Sequence, residues 1–168
     1  MGSVVTVVEY DPIWVHTFEK LRDFVVAVLG ELLVTVEHVG STSVPGLAAK
    51  PIIDLDAVVY TQSDVQTAIQ RLVAVGYVHE GDLGVAGREA FIPFDGAPWH
   101  HLYVCTADNA EYKRHIQFRD YLRSHSQDTK MYGDLKWELA QRFHNDRAAY
   151  TNGKNDFVKE ILKRAGLE

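Results

Sequence analysis

A chain of 168 residues with 46% hydrophobic content is long enough for one well-buried core and short for two, so it reads as a single domain over 1–168. The formal net charge of -6 argues against broad nucleic-acid binding, which needs a basic footprint, and favours a nucleotide or phosphorylated small molecule as partner. One cysteine, Cys105, excludes an internal disulfide and a multi-cysteine zinc site and fits a reducing, cytoplasmic location.

No basic stretch followed by an apolar core opens the chain, and no apolar run approaches a membrane span. Met1-Gly2-Ser3 reads as a cloning scar or a native start, with Gly2 a weak myristoylation match. Asp11 with Pro12 starts a helix in which Trp14, Phe18, Leu21, Val25 and Leu29 or Val28 recur at helical spacing toward Gly30. Strands are expected at Leu33 to Val39 and Pro51 to Val59. Ser63-Asp64-Val65-Gln66 reads as a capping box for a helix through Val75. Short strands follow at Tyr77 to Glu80, Glu89 to Phe94 and Trp99 to Thr106. Asp108-Asn109-Ala110-Glu111 caps a further helix to about Ser124, and His125-Ser126 separates it from one through Leu135, Leu139 and Phe143. A last helix is expected from Asn155, with Tyr150 to Gly153 as the bend before it. The pattern is an α+β fold: a mixed β-sheet flanked by helices, core about 10–106, with a helical C-terminal third from about 107.

The chemistry concentrates in His38-Val39-Gly40-Ser41-Thr42-Ser43-Val44-Pro45-Gly46 and the strand after Lys50-Pro51. In a strand, side chains alternate, so Ile53, Leu55, Ala57 and Val59 form an apolar face while Asp54 and Asp56 share the other with Ile52 and Val58. Two carboxylates about 5 Å apart repel by roughly 3 kcal/mol at an effective dielectric near 20, which favours a shared proton or a bound cation. Magnesium or manganese suits such a hard oxygen pair, completing its shell with water and substrate phosphate. Gly40 permits close backbone approach, Ser41, Thr42 and Ser43 add hydroxyls, and Lys50 adds a cation.

The run from His38 to Asp54, with Glu9-Tyr10-Asp11-Pro12 and Trp14 before it, resembles the GrpB family. His101-Leu102, His115, Phe118-Arg119-Asp120-Tyr121-Leu122, His125, Tyr132 and Lys136 extend the likeness over nearly the whole chain. That family resembles a branch of the nucleotidyltransferase superfamily, whose signature is a Gly-Ser turn, paired acids on the next strand and a third acid on a later one. The resemblance implies a polymerase-beta-like core and adds Arg119, His125 and Lys136 to the candidate binding residues.

The third acid is missing. On the strand Trp99 to Cys105, one face offers Trp99, His101 and Tyr103 and the other His100, Leu102 and Val104. If this strand lies beside the acidic one, His101 occupies the third-acid place as general base or third metal ligand, or marks a site that has lost transfer chemistry. His38 has the next claim among the eight histidines because it shares a strand end with Gly40. Arg88, opening the strand Glu89 to Phe94, joins Lys50, Arg119 and Lys136 as cations for a triphosphate. Three functions fit. The first is a metal-dependent nucleotidyltransferase with Asp54, Asp56 and His101 as catalytic and metal-binding residues. The second is a nucleotide or phosphometabolite binder without turnover. The third is a metal-dependent phosphoester hydrolase.

Overall fold

The computed structural model describes residues 4–167, so the proposed Gly2 modification lies outside the described residues. Contacts divide the chain into two compact units. One comprises Ile13–Val39 and Ile52–Lys113; the other comprises the residues up to Pro12, Gly40–Pro51 and the chain from Arg114 on.

The first of these is a five-stranded mixed sheet covered by two helices. Helix α1 (Ile13–Leu29) buries the predicted stripe of Trp14, Phe18, Leu21, Val25 and Leu29. The strands are β1 (Leu33–Val39), β2 (Ile53–Val59), β3 (Val78–Gly81), β4 (Glu89–Ile92) and β5 (His100–Thr106), in the order β1-β2-β5-β4-β3. β2 and β5 run parallel; the other neighbouring pairs are antiparallel. β2 starts two residues later than expected, after Pro51, which has no N–H to give a ladder. Leu55, Ala57, Val59, Leu102 and Val104 are all sealed from solvent, and α1 and α2 (Gln62–Ala74) pack on the sheet. The cap of α2 is Thr61 rather than Ser63: its hydroxyl accepts from the Asp64 N–H while the Asp64 carboxylate accepts from the Thr61 N–H.

The other unit is helical. It contains most of α3 (Ala110–Ser124), α4 (Ser126–Arg142) and α5 (Arg147–Arg164), the N-terminal segment bridged at Val8 to Ala49, and the 40–51 loop. Asn109, not Asp108, caps α3, its Oδ1 accepting from the Tyr112 N–H. Val5, Val7, Ala48, Leu139, Ala140 and Tyr150 form one core cluster; Val44, Leu47, Leu122, Tyr132 and Ile161 form another. The expected bend at Tyr150 to Gly153 is wrong. α5 begins at Arg147, capped by Asp146, and Gly153 lies inside it because a Cβ there would come within 2.5 Å of Leu139 Cδ2. Among the described residues no helix is long and apolar enough to cross a membrane.

Candidate functional site

β2 is flanked by β1 and β5, and the register decides which side chains share its polar face. Asp54 lies opposite His101 and Val39, and Asp56 opposite Tyr103 and Glu37. The sequence expectation that the strand after Trp99 lies beside the acidic one therefore holds. The His101 Nδ1 is 2.8 Å from Asp54 Oδ1. A carboxylate only accepts, so Nδ1 carries the hydrogen, and in the neutral ring Nε2 is left as the acceptor. Asp54 and His101 are each about a quarter exposed, whereas Asp56 is 1% exposed. Among the described residues no three His, Cys, Asp or Glu side chains are grouped to hold a metal ion, so Asp54, Asp56 and His101 do not stand as a three-ligand set.

Beyond β5 on this face, the Arg88 guanidinium lies 4.3 Å from the Tyr103 ring centre, and its buried Nε makes no hydrogen bond. Burial pushes the Tyr103 hydroxyl up to about 12, the charges of Asp54 and Asp56 adding to the effect and Arg88 opposing it. Burial likewise lifts the Cys105 thiol to about 12, which removes it as a nucleophile at neutral pH. Glu37 is the acid that the sequence reading passed over; its carboxylate accepts from the Thr35 hydroxyl at 3.3 Å. Counting back by two from Val39 along a predicted strand would have placed it on this face.

Two other histidines, His38 and His100, have structural partners. His38 lies opposite Leu55, on the face away from Asp54, and stacks on Phe18 with ring centres 4.7 Å apart. His100 is buried between the Pro98 carbonyl, 2.6 Å from Nδ1, and the Tyr77 hydroxyl, 2.8 Å from Nε2. The carbonyl accepts from Nδ1–H, so Nε2 accepts from Tyr77.

In the helical unit, Gly40 adopts φ 73°, ψ -176°, a conformation costly for side chains, and begins a short helical turn over Ser41–Ser43. Thr42 and Ser43 are buried; Ser43 donates from Oγ to the Gly40 carbonyl at 2.5 Å, and its own carbonyl accepts from Arg123 Nε at 2.9 Å. These contacts hold the turn. Ser41, half-buried, meets Lys136 of α4, whose ammonium donates to Ser41 Oγ and to the Ala48 carbonyl. Lys136 is only 2% exposed and sits 4.6 Å from the centre of the Tyr132 ring. Tyr132 also hydrogen-bonds Ser41, and burial holds its hydroxyl far above the usual range. Nothing local in the sequence links Arg123 to Ser43, 80 residues away.

The remaining candidates have other surroundings. Lys50 and Lys154 lie 4.7 and 4.6 Å from the Tyr150 ring centre. Arg119 is 9% exposed and paired with Asp120 at 2.9 Å. His125 stacks on Tyr121 at 3.8 Å, its Nδ1 2.7 Å from the Tyr121 carbonyl.

The family model described as GrpB protein matches residues 4–164. The UPF0157 protein YqkA of Bacillus subtilis (strain 168) is 34% identical over 161 residues, covering 96% of this chain; the chain spans 47% of that relative's length. Among solved structures, the conserved protein GrpB from Enterococcus faecalis superposes with a TM-score of 0.86 at 37% identity, covering 95% of this chain and 96% of that one. The Cid1 poly(U) polymerase, in a crystal structure titled as Mg 3'-dATP bound, superposes with a TM-score of 0.57 at 14% identity, covering 86% of this chain and 49% of that one. That likeness concerns the fold, which is nucleotidyltransferase-like.

Proposed function

The chain belongs to the GrpB family, and we propose that it is a metal-dependent nucleotidyltransferase acting from a nucleoside triphosphate onto a small acceptor. The observation that carries the proposal is the register of β2, which sets Asp54 and Asp56 on one face with His101 opposite Asp54. Two carboxylates of a single strand suit magnesium or manganese, ions that take one or two protein carboxylates and fill the shell with water and phosphate. The bound cation would neutralise charge developing on the α-phosphate.

In the helical unit, taken by itself, Ser41 and Lys136 are the phosphate-binding candidates, a buried ammonium being a strong partner for a phosphate where little water competes. Gly40 lets the backbone come close, and Thr42 and Ser43 shape the turn. Lys50, Arg119 and His125 remain weaker phosphate-binding candidates. Asp54 holds His101 through Nδ1, which aims Nε2 as the base for the acceptor proton. The acceptor oxygen bonds to the α-phosphorus, the bond to the bridging oxygen breaks, and pyrophosphate leaves. Binding without turnover is the second reading, favoured by one observation: the superfamily's third acid is replaced by a histidine already hydrogen-bonded to Asp54.

Thermal shift with Mg2+ or Mn2+ plus each nucleoside triphosphate tests the proposal. A ligand at a hundred times its Kd stabilises by about 2.7 kcal/mol, or about 5–10 °C in a chain of this size. Asp54→Asn and Asp56→Asn should fold and lose that shift. No metal-dependent shift with any triphosphate would refute the site, and a shift without pyrophosphate release over an acceptor panel would select the binding-only reading.

A further inference from the structure

On the sheet unit, Trp99, Tyr103 and Arg88 flank the Asp54–His101 pair. Trp99, His101 and Tyr103 follow one another at two-residue spacing on the polar face, with ring centres 6.2 Å apart between Trp99 and His101 and 6.4 Å between His101 and Tyr103. Trp99 is 54% exposed, so its indole offers ring surface to a ligand. At the other end of the row, Arg88 lies over Tyr103 with its buried Nε making no hydrogen bond. Arg88 as a whole is only partly buried, so its guanidinium can meet an anionic group through a charge-assisted bond. The row thus has a flat ring surface at one end, a cation at the other and the Asp54–His101 pair between them. Four residues of strand separate the ends by about 13 Å, long for an inorganic anion or a simple sugar phosphate.

We propose that the acceptor is an anionic aromatic small molecule, its ring stacked on Trp99, its anionic group met by Arg88 and its reacting hydroxyl facing His101 Nε2. This inference rests on the transferase reading and deepens it by naming the second substrate's class. Stacking on Trp99 places the ring, and the charge-assisted bond to Arg88 sets the direction in which the molecule lies. In the transfer, the acceptor hydroxyl oxygen bonds to the α-phosphorus, its proton passes to His101 Nε2, and pyrophosphate takes the electron pair of the broken bond. A nucleoside monophosphate carries its groups in this order, the sugar hydroxyls lying between the ring and the anion.

Isothermal titration of the whole chain tests the assignment with adenosine 5'-monophosphate as the probe. Adenosine, lacking the anion, and ribose 5-phosphate, lacking the ring, are controls. The probe should bind ten times more tightly than either control. Trp99→Ala should weaken that probe about tenfold or more, base–aromatic stacking being of that order, while Trp99→Phe should stay within about threefold. Arg88→Met should bring adenosine 5'-monophosphate down to the level of adenosine. Ribose 5-phosphate binding as well as the probe, a Trp99→Ala titration like the wild type, or no binding of the probe would each overturn the assignment. The triphosphate thermal shift is read separately: a retained shift with unaffected Trp99 and Arg88 variants sinks this inference alone, whereas probe binding without any shift sinks the transferase reading.

Discussion

Lys136 is 2% exposed, and its ammonium meets the Ser41 hydroxyl, the Ala48 carbonyl and the face of the Tyr132 ring. A buried ammonium offers a phosphate a charge-assisted bond with little water in competition. Lys136→Met keeps the length and apolar stem of the side chain and removes the charge. The variant should lose about 1 kcal/mol of stability, or 2–4 °C, from the carbonyl left short of a donor. Its affinity for magnesium and triphosphate should fall tenfold or more, since bonds to charged groups are worth about 1.5–3 kcal/mol. Ser43→Ala is the contrast: its hydroxyl is tied to the Gly40 carbonyl, so stability should drop by a similar amount while the ligand-induced shift survives. Melting curves of both variants with and without Mg2+ and triphosphate check the pair, and a full shift in Lys136→Met would remove the lysine from the binding surface.

At the level of elements, the join of α4 and α5 is the most sharply constrained. A Cβ on Gly153 would lie 2.5 Å from Leu139 Cδ2 and 3.3 Å from its Cγ, so two helices approach through a position where only hydrogen fits. Gly153→Ala gains about 1 kcal/mol of helix propensity but must displace a buried leucine, which costs about 1–3 kcal/mol. The expected net loss is about 1 kcal/mol, seen as a 2–4 °C lower Tm, and the double variant Gly153→Ala/Leu139→Ala should show no clash penalty beyond that of Leu139→Ala alone. The same glycine explains what sequence reading missed. It acts as a breaker in a local view and as a contact in the folded one, and only Leu139, fourteen positions earlier, tells the two apart. β1 and β2, by contrast, were legible because alternation alone separates Leu55 and Ala57 from Asp54 and Asp56. His101 became legible once β5 was set beside β2. The meeting of Lys136 with Ser41 spans 95 positions, and no periodicity connects them; the family resemblance pointed to Lys136 without saying what it touches.

For the molecule as a whole, acid stability turns on His100. Burial is the main cause that lowers its pKa; the adjacent His101 adds to this, while the Pro98 carbonyl and Asp54 oppose it. The folded state therefore holds this ring neutral below the pH at which the unfolded chain, near 6.5, takes up a proton. In that window the unfolded state binds more protons, so stability rises with pH. The contribution is fully present above about pH 6.5 and is lost as pH falls toward the depressed folded value. Tyr77 sharpens the effect, because its hydroxyl donates to Nε2 and a protonated ring has no lone pair there to receive it. Replacing one partner strands the other, so Tyr77→Phe should cost about 1–3 kcal/mol at pH 7.5. Replacing both, as Tyr77→Phe/His100→Phe, leaves an apolar pair in an aromatic setting already supplied by Phe91 and Phe94 and should cost far less. Chemical denaturation at pH 7.5, 6.5 and 5.5 measures the slope: the double variant should lose less stability than the wild type between the last two points. Equal slopes would assign the acid sensitivity to other groups and leave the Tyr77–His100 bond a purely packing feature.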